Sequence, residues 1–471
     1  MTRPPRTISD KPFHVVFIHL DLGIGGAEQL VLQLATASQD LNHKVDIVTT
    51  RCDPDHCFAQ VKPPDGRLSG NVHRTGTWIP ANLLGGLTAF CSTLRMIWLT
   101  LMVTIQFRQA DVIVVDVLPT AIPIITKWLP QSRVLFYCHF PDKLLLRTPG
   151  GRLKKAYRSI LDALEETTMA CSDTLVVNSK FTLTQVERVF PSLRSHSIGV
   201  LYPALDISNM TQALDKPKTS QSPIVSLNRF ERKKNIGLLI EAYAELQTAS
   251  RGINLPPLII AGGYDTQNVE NIELRGELGQ LAKQLGVACE FRCDITDSER
   301  ATLFQTALCV VYTPDKEHFG IVPLEAMYAG TPVVAVNSGG PMETVVDGVT
   351  GYLRAPTATA FAGALQQLLD HPDQATKMGQ AGRKHVEQTF GPDRFQAEWK
   401  DLMQKTKQQK RQNASSETYR LWSHVPLYLL EAFLALSTVL LLTNLLQLVG
   451  ILGPAQSIFG AVRTNLLGDE L

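Results

Sequence analysis

Short, β-branched apolar runs recur along this chain, each followed by a helical stretch. "HVVFIHL", "KVDIVTT", "DVIVVDV", "RVLFYCHF" and "TLVVNS" come first; "PIVSLNRF", "PPLIIAGG", "CEFRCDI", "ALCVVYT" and "TPVVAV" follow. Runs of this kind, apolar on both faces, are parallel strands covered by helices. The alternation restricts the fold class to α/β, with two doubly wound Rossmann-like domains. A polar stretch, "DISNMTQALDKPKTSQSP", separates the two series and reads as a linker. The expected organisation is a first domain over 1–210, a linker over 211–222, a second domain over 223–405 and a tail over 406–471. Two such domains facing each other would enclose a cleft, with functional loops at the carboxyl ends of the strands.

Charge narrows the function. The net charge of +1 over 471 residues gives no bulk attraction to nucleic acid, so no nucleic-acid partner is expected. Eight cysteines are scattered without a C-x-x-C pair, as expected of reduced thiols. The polar start shows no secretory pattern, and the acceptor patterns at Asn209 and Asn413 would stay unmodified on a cytosolic face. Two apolar regions point to a membrane surface. Over 83–107, Arg95 interrupts the run; the region reads either as a helix at the interface with Arg95 snorkelling or as a buried domain helix. Over 425–452, the charge-free stretch from Ala432 to Leu452 is long enough to span a bilayer, behind a basic flank.

The chemistry concentrates in a few loops. "EHFGIVPLE" places Glu317 on a loop after a strand and Glu325 in the first turn of the next helix, with Pro323 as first helical residue and Gly330 ending it. Gly320 permits tight backbone geometry, and the amides from His318 through Phe319, Gly320, Ile321 and Val322 suit a phosphate or sugar hydroxyl. Carboxylates suit sugar and ribose hydroxyls. Alone, the pair also fits an exposed acid and a helix-capping acid. In "NRFERKKN", Arg229 and Lys234 could hold a diphosphate and neutralise it as it leaves, or form a solvated basic turn. Gly339 and Gly340 open a loop with room for a ligand, or make a plain turn.

In the first half, "DLGIGGAEQL" supplies Gly23, Gly25, Gly26 and Glu28 between a strand and a helix, a place for phosphate or substrate to meet amides, or a tight structural turn. The spacing is not G-x-G-x-x-G; under a dinucleotide reading Asp46 would be the ribose acid. His139 ends a strong strand, where ligands of open α/β sheets bind. A basic stretch follows with Lys143, Arg147, Arg152, Lys154 and Lys155, suited to phosphate, anionic lipid or solvent.

"GGAE", "HF", "NRFERKKN", "EHFGIVPLE" and "GGPMETVVDGVTGYL" occur in an order that resembles the retaining GT-B glycosyltransferases of family 4, over about Phe13 to Trp399. Within that family the wording is similar to the mannosyltransferases that extend dolichol-linked Man-chitobiose in N-glycan assembly. The resemblance implies GDP-mannose as donor, a dolichol-diphosphate-linked oligosaccharide as acceptor, and α-1,3 and α-1,6 linkages made on the cytosolic face of the endoplasmic reticulum membrane. Other enzymes of the same pathway are possible partners. It implies catalytic roles for Glu317, His139, Arg229 and Lys234. Glu325 would bind the ribose, Glu317 the donor sugar's hydroxyls, and Arg229 and Lys234 the diphosphate. His139 would lie near the transferred sugar, and Gly25 and Gly26 would close on phosphate and acceptor. Neither metal nor other cofactor is implied, because cations and amides can stabilise the leaving diphosphate. Retention would come from same-face attack or a covalent intermediate; no nucleophile is evident, which favours the former. Competing readings are a family 4 enzyme with another sugar nucleotide such as UDP-glucose, a non-catalytic two-domain binding protein, and a nicotinamide dehydrogenase, disfavoured by the glycine spacing.

Overall fold

The computed structural model describes residues 11–83, 87–145, 152–205, 218–250, 254–409, 426–435 and 437–438. Asn209, Asn413, Arg147, the basic flank beyond Gln409 and most of the apolar tail lie outside the described residues, as do the side chains of Arg152 and Lys154. The described residues form two compact units: one up to Asn178, with Thr182–Leu201 and the chain from Gln396, the other Ser179–Phe181 with Tyr202–Phe395.

The first unit holds seven parallel strands: β1 (His14–Ile18), β2 (Lys44–Thr49), β3 (Val72–Arg74), β4 (Val112–Asp116), β5 (Arg133–Cys138), β6 (Thr174–Val177) and β7 (Ile198–Val200). Their order is β3-β2-β1-β4-β5-β6-β7. The second unit holds six: β8 (Ile224–Leu227), β9 (Leu258–Gly262), β10 (Cys289–Cys293), β11 (Cys309–Tyr312), β12 (Val333–Val336) and β13 (Gly351–Arg354). Their order is β10-β9-β8-β11-β12-β13. All pairings within these sheets are parallel. Each sheet reverses its winding once, between β1 and β4 and between β8 and β11, and those reversals open the crevices in which ligands of such sheets bind. Val15, Val16, Val112 and Ile113 are fully buried, as are Ile224, Val225, Val310 and Val311, so the central strands are covered on both faces. All eight cysteines are free thiols.

The unit boundaries differ from the expected ones. Lys218, placed in the linker from sequence, is already buried in the second unit; its ammonium donates to the Gln305 carbonyl at 2.8 Å and to Thr331 Oγ1 at 2.7 Å. Burial pushes its pKa down to about 8. At the other end, the helix Pro392–Gln408 belongs to the first unit from Gln396 onward. Trp399 is fully buried there and its indole N–H donates to Ser38 Oγ at 2.9 Å. One tryptophan in a polar helix was the only sign of this return.

The apolar helix Thr88–Gln106 buries Met96, Leu99 and Val103 against Val16, Ile18 and Ile113. It is long and apolar enough to cross a membrane, yet half of its apolar window is buried inside the protein. Arg95 does not snorkel. It is 5 % exposed, paired with Asp21, and its Nε donates to Thr50 Oγ1 at 3.0 Å. A charged head with an internal carboxylate partner has no need of the headgroup region. In the tail, the helix Pro426–Ala435 packs Leu430 and Phe433 against Phe90, Cys91 and Leu164.

Candidate active site

In the second unit the predicted donor residues gather at the reversal between β8 and β11. Arg229 follows β8, and the turn Arg232–Lys234 ends at Asn235, which takes a left-handed conformation with φ 48°. Lys234 Nζ reaches Glu317 Oε2 at 2.5 Å, and Thr313 Oγ1 donates to the Lys234 carbonyl at 2.7 Å. The strand-end turn and the loop after β11 are thereby tied together. Burial opposes a charge on Glu317, but Lys234, with His318 and Lys233 beyond it, holds the carboxyl below its ordinary range. Arg229 is largely exposed, with Glu231 at 3.7 Å.

Gly320 has φ 82°, and a Cβ there would press on the Tyr312 ring at 3.2 Å. From this left-handed cap the helix Ile321–Tyr328 starts at once. Pro323 is therefore the third helical residue, not the first, and Glu325 lies in the second turn, not the first. The Ile321 and Val322 amides, at the first two positions, have no carbonyl partner within the helix. Gly330 closes it as expected: its N–H donates to the Met327 carbonyl and that of Thr331 to the Ala326 carbonyl, both at 2.9 Å. Phe319 turns its ring inward, 5.8 Å from Tyr202 and 5.9 Å from Phe390, so that side chain packs.

Glu325 is 7 % exposed. Arg300, from the helix Asp297–Thr306, stands 3.2 Å from its Oε1. Its Oε2 has no hydrogen-bond partner among the described residues. Burial pushes its pKa up to about 7, with Arg300 opposing and Asp297 assisting. An orphaned buried oxygen on a group of this kind marks a place for a missing donor.

At Gly339 and Gly340 the space a side chain would take is occupied by the protein itself, as in the plain-turn reading. The Gly340 N–H donates to the Glu317 carbonyl at 2.7 Å. A Cβ on Gly339 would collide with the Glu317 backbone, and one on Gly340 with the Phe319 backbone. The chain's own loop fills the space.

In the first unit, Gly25 is the N-cap and Gly26 the first residue of the helix Gly26–Asp40, with Glu28 in its first turn. A Cβ on Gly25 would collide with the Glu28 carboxylate, whereas Gly26 faces open space and Gly23 has only ordinary contacts. His139 follows β5, and its Nε2 lies 3.1 Å from Asp116 Oδ2. Asp116, the last residue of β4, also receives His19 Nδ1 at 2.8 and 2.9 Å. His19 Nε2 stands 3.9 Å from Glu28 Oε1. Burial works against both charges of the inner pair, yet each stabilises the other: His19 is pushed up to about 10 and Asp116 down to about 2. Burial likewise opposes charge on Glu28, and His19 brings its carboxyl below the ordinary range.

Asp46 is not placed to meet a ribose. It is buried between His14 Nε2 and His73 Nε2, each 2.7 Å away, which removes the dinucleotide reading's acid. Lys143 is also engaged internally, donating to the Val189 carbonyl at 3.1 Å and lying over Phe190. Sequence reasoning missed His19, Asp116 and Arg300. For the first two the available signal was position, since each sits where a strand ends beside the winding reversal; Arg300 carried none.

Both units resemble known proteins. Residues 24–209 match the family description "Glycosyltransferase Family 4" and residues 210–385 match "Glycosyl transferases group 1". The alpha-1,3/1,6-mannosyltransferase ALG2 of Homo sapiens is 39% identical over 81% of this chain and 93% of its own length. The proteins of the same name from Schizosaccharomyces pombe and Dictyostelium discoideum are each 37% identical over 81% of this chain, covering 79% and 95% of their own lengths. Among solved structures, sucrose-phosphate synthase from Thermosynechococcus elongatus has a TM-score of 0.62 at 22% identity, covering 83% of this chain and 98% of its own. Anabaena HepE in complex with UDP and glucose has a TM-score of 0.60 at 18% identity, covering 83% and 99%. The two parallel-sheet units thus have the GT-B fold, and the chain belongs to the family 4 glycosyltransferases, among the alpha-1,3/1,6-mannosyltransferases.

Proposed function

We propose that the protein transfers mannose from GDP-mannose, with retention, to Man1GlcNAc2-diphosphodolichol and then to Man2GlcNAc2-diphosphodolichol. The α-1,3 and α-1,6 linkages formed would extend the lipid-linked oligosaccharide at the cytosolic face of the endoplasmic reticulum membrane. The observation that carries the reading is the pairing of Lys234 with Glu317 across the winding reversal, together with a buried Glu325 oxygen that has no hydrogen-bond partner among the described residues.

In this proposal the ribose supplies the donor missing at Glu325 Oε2, after displacing the side chains that now cover it. Glu317, kept ionised by Lys234, accepts from hydroxyls of the mannose. Lys234 and Arg229, with the Ile321 and Val322 amides, meet the diphosphate and stabilise its charge as the glycosidic bond breaks. Those cations and amides do the work a metal does elsewhere, so the reaction is proposed to need none. His139 meets the transferred sugar, and the Gly23–Glu28 loop meets the acceptor. Same-face attack is the favoured route to retention.

The test is a product assay with purified enzyme, GDP-mannose and a lipid-diphosphate Man-chitobiose acceptor. Two added hexoses, released by linkage-specific α-mannosidases and weighed, are expected. Donor bound but no hexose added would overturn the acceptor, and turnover of UDP-glucose in its place would overturn the donor.

A further inference from the structure

We propose that His19 and Asp116 are positioning residues that set Glu28 and His139, the two substrate-facing side chains of the first unit, at a fixed separation and His139 in one tautomer. The inference rests on the reading that His139 meets the transferred sugar.

Strand order creates the arrangement. β4 lies between β1 and β5, with Val115 opposite Ile18 and Asp116 opposite Tyr137. Asp116, the last residue of β4, therefore stands beside His19 and His139, the residues that follow β1 and β5. An ionised carboxylate can only accept, so His19 Nδ1–H donates to both Asp116 oxygens and His139 Nε2–H donates to one. With its proton held on Nε2, His139 is left with Nδ1 for a sugar hydroxyl. His19 turns its other ring nitrogen, Nε2, toward Glu28 Oε1 at 3.9 Å.

Exposure separates the working ends from the support. The His19 and Asp116 side chains are 3% and 2% exposed, whereas Glu28 and His139 are 23% and 24% exposed. A sealed ion pair with an accessible acid at one end and an accessible imidazole at the other has the form of a spacer. Locking of this kind holds a reacting group in its productive geometry.

The test uses the full-length enzyme with the variants D116N, H139A, the double variant D116N/H139A, H19N and H19A. D116N is expected to lower kcat about 100-fold, the cost of a small misplacement, while KM for GDP-mannose moves less than about threefold. The double variant is expected to be no slower than H139A, because the two residues act as one unit. In H19N an amide N–H takes the place of Nδ1–H, so it should retain at least about tenfold more activity than H19A. Losses from D116N and H139A that multiply, or a wild-type kcat in D116N, would overturn the inference alone. A wild-type kcat in H139A would overturn the reading of His139 and the inference with it. Should D116N fail to fold, equal losses in H19N and H19A would overturn the inference by themselves.

Discussion

Lys234 Nζ lies 2.5 Å from Glu317 Oε2, and the two residues come from loops that follow β8 and β11, the strands on either side of the winding reversal. Neither side chain is more than 22% exposed, and Lys234 favours the charged form of the Glu317 carboxyl where water gives little help. In the proposed reaction this preformed ion pair meets the departing diphosphate.

Replacing Lys234 by methionine keeps most of the stem and removes the charge. The variant should lose about 100- to 1,000-fold in kcat, the cost of one preorganised donor to a developing anion. Glu317→Gln should lose activity with a larger rise in KM for the donor. Steady-state kinetics on purified protein checks both; a wild-type kcat in the lysine variant would remove it from the leaving-group role.

Glu325 links pH to stability and to donor binding in opposite directions. Its folded pKa, about 7, is above its ordinary value of 4.5, so the folded state favours the protonated form. The stabilisation this brings is fully present below about pH 4.5 and is lost as pH rises through about 7. Glu325→Gln should therefore be more stable than wild type at pH 8 by up to about 3 kcal/mol, and no more stable at pH 4. GDP should bind wild type more tightly as pH rises through 7, when the carboxylate becomes an acceptor for two hydroxyls, and the variant should lack that slope. Denaturant melts and calorimetric titrations at several pH values separate the two effects; parallel pH profiles for wild type and variant would refute the assignment.

Phe433 is fully buried, and its ring lies 5.6 Å from that of Tyr157. Phe433→Ala should cost about 3–5 kcal/mol through the cavity it leaves. Deleting the chain from Pro426 should accordingly lower the thermal midpoint as well as change membrane association. A truncated protein that leaves the membrane fraction with an unchanged midpoint would show that this helix contributes nothing to the fold.

Chelation gives a fourth test. If Lys234, Arg229 and helix amides carry the leaving-group charge, mannose transfer should persist after dialysis against EDTA and change less than about twofold on adding back magnesium or manganese. Abolition by EDTA with rescue by one metal would contradict the proposal.

The ten apolar runs read from the sequence all became strands; nine are mostly buried, and β10, an edge strand with no fully buried residue, was legible from its place in the alternation. The three strands not anticipated, β3, β7 and β13, are edge strands of three or four residues, where half the surface is open and the pattern fades. The donor loops were legible because their residues are close in sequence. Glu317, Gly320 and Glu325 lie on one corner, and Arg229 and Lys234 on one turn. His19 and Asp116 were not, since 97 residues separate them and only sheet order makes them neighbours. The start of the helix at Ile321 was read two residues late, at Pro323, because Gly320 determines where that helix begins through a backbone angle that composition does not record. Arg95 looked like a charge needing an exit to water because its partner, Asp21, lies 74 residues away in sequence.

Gly339 and Gly340 work by what they lack. The backbone of Glu317–Phe319 rests where their side chains would be, so the loop bearing the donor acid is moulded against two bare α-carbons. An alanine at either position would displace that loop, and Glu317 with it, without altering any charged or polar side chain. Such a change would register as a loss of local order in the loop before the helix Ile321–Tyr328, although the substituted residue lies about twenty positions further along the chain.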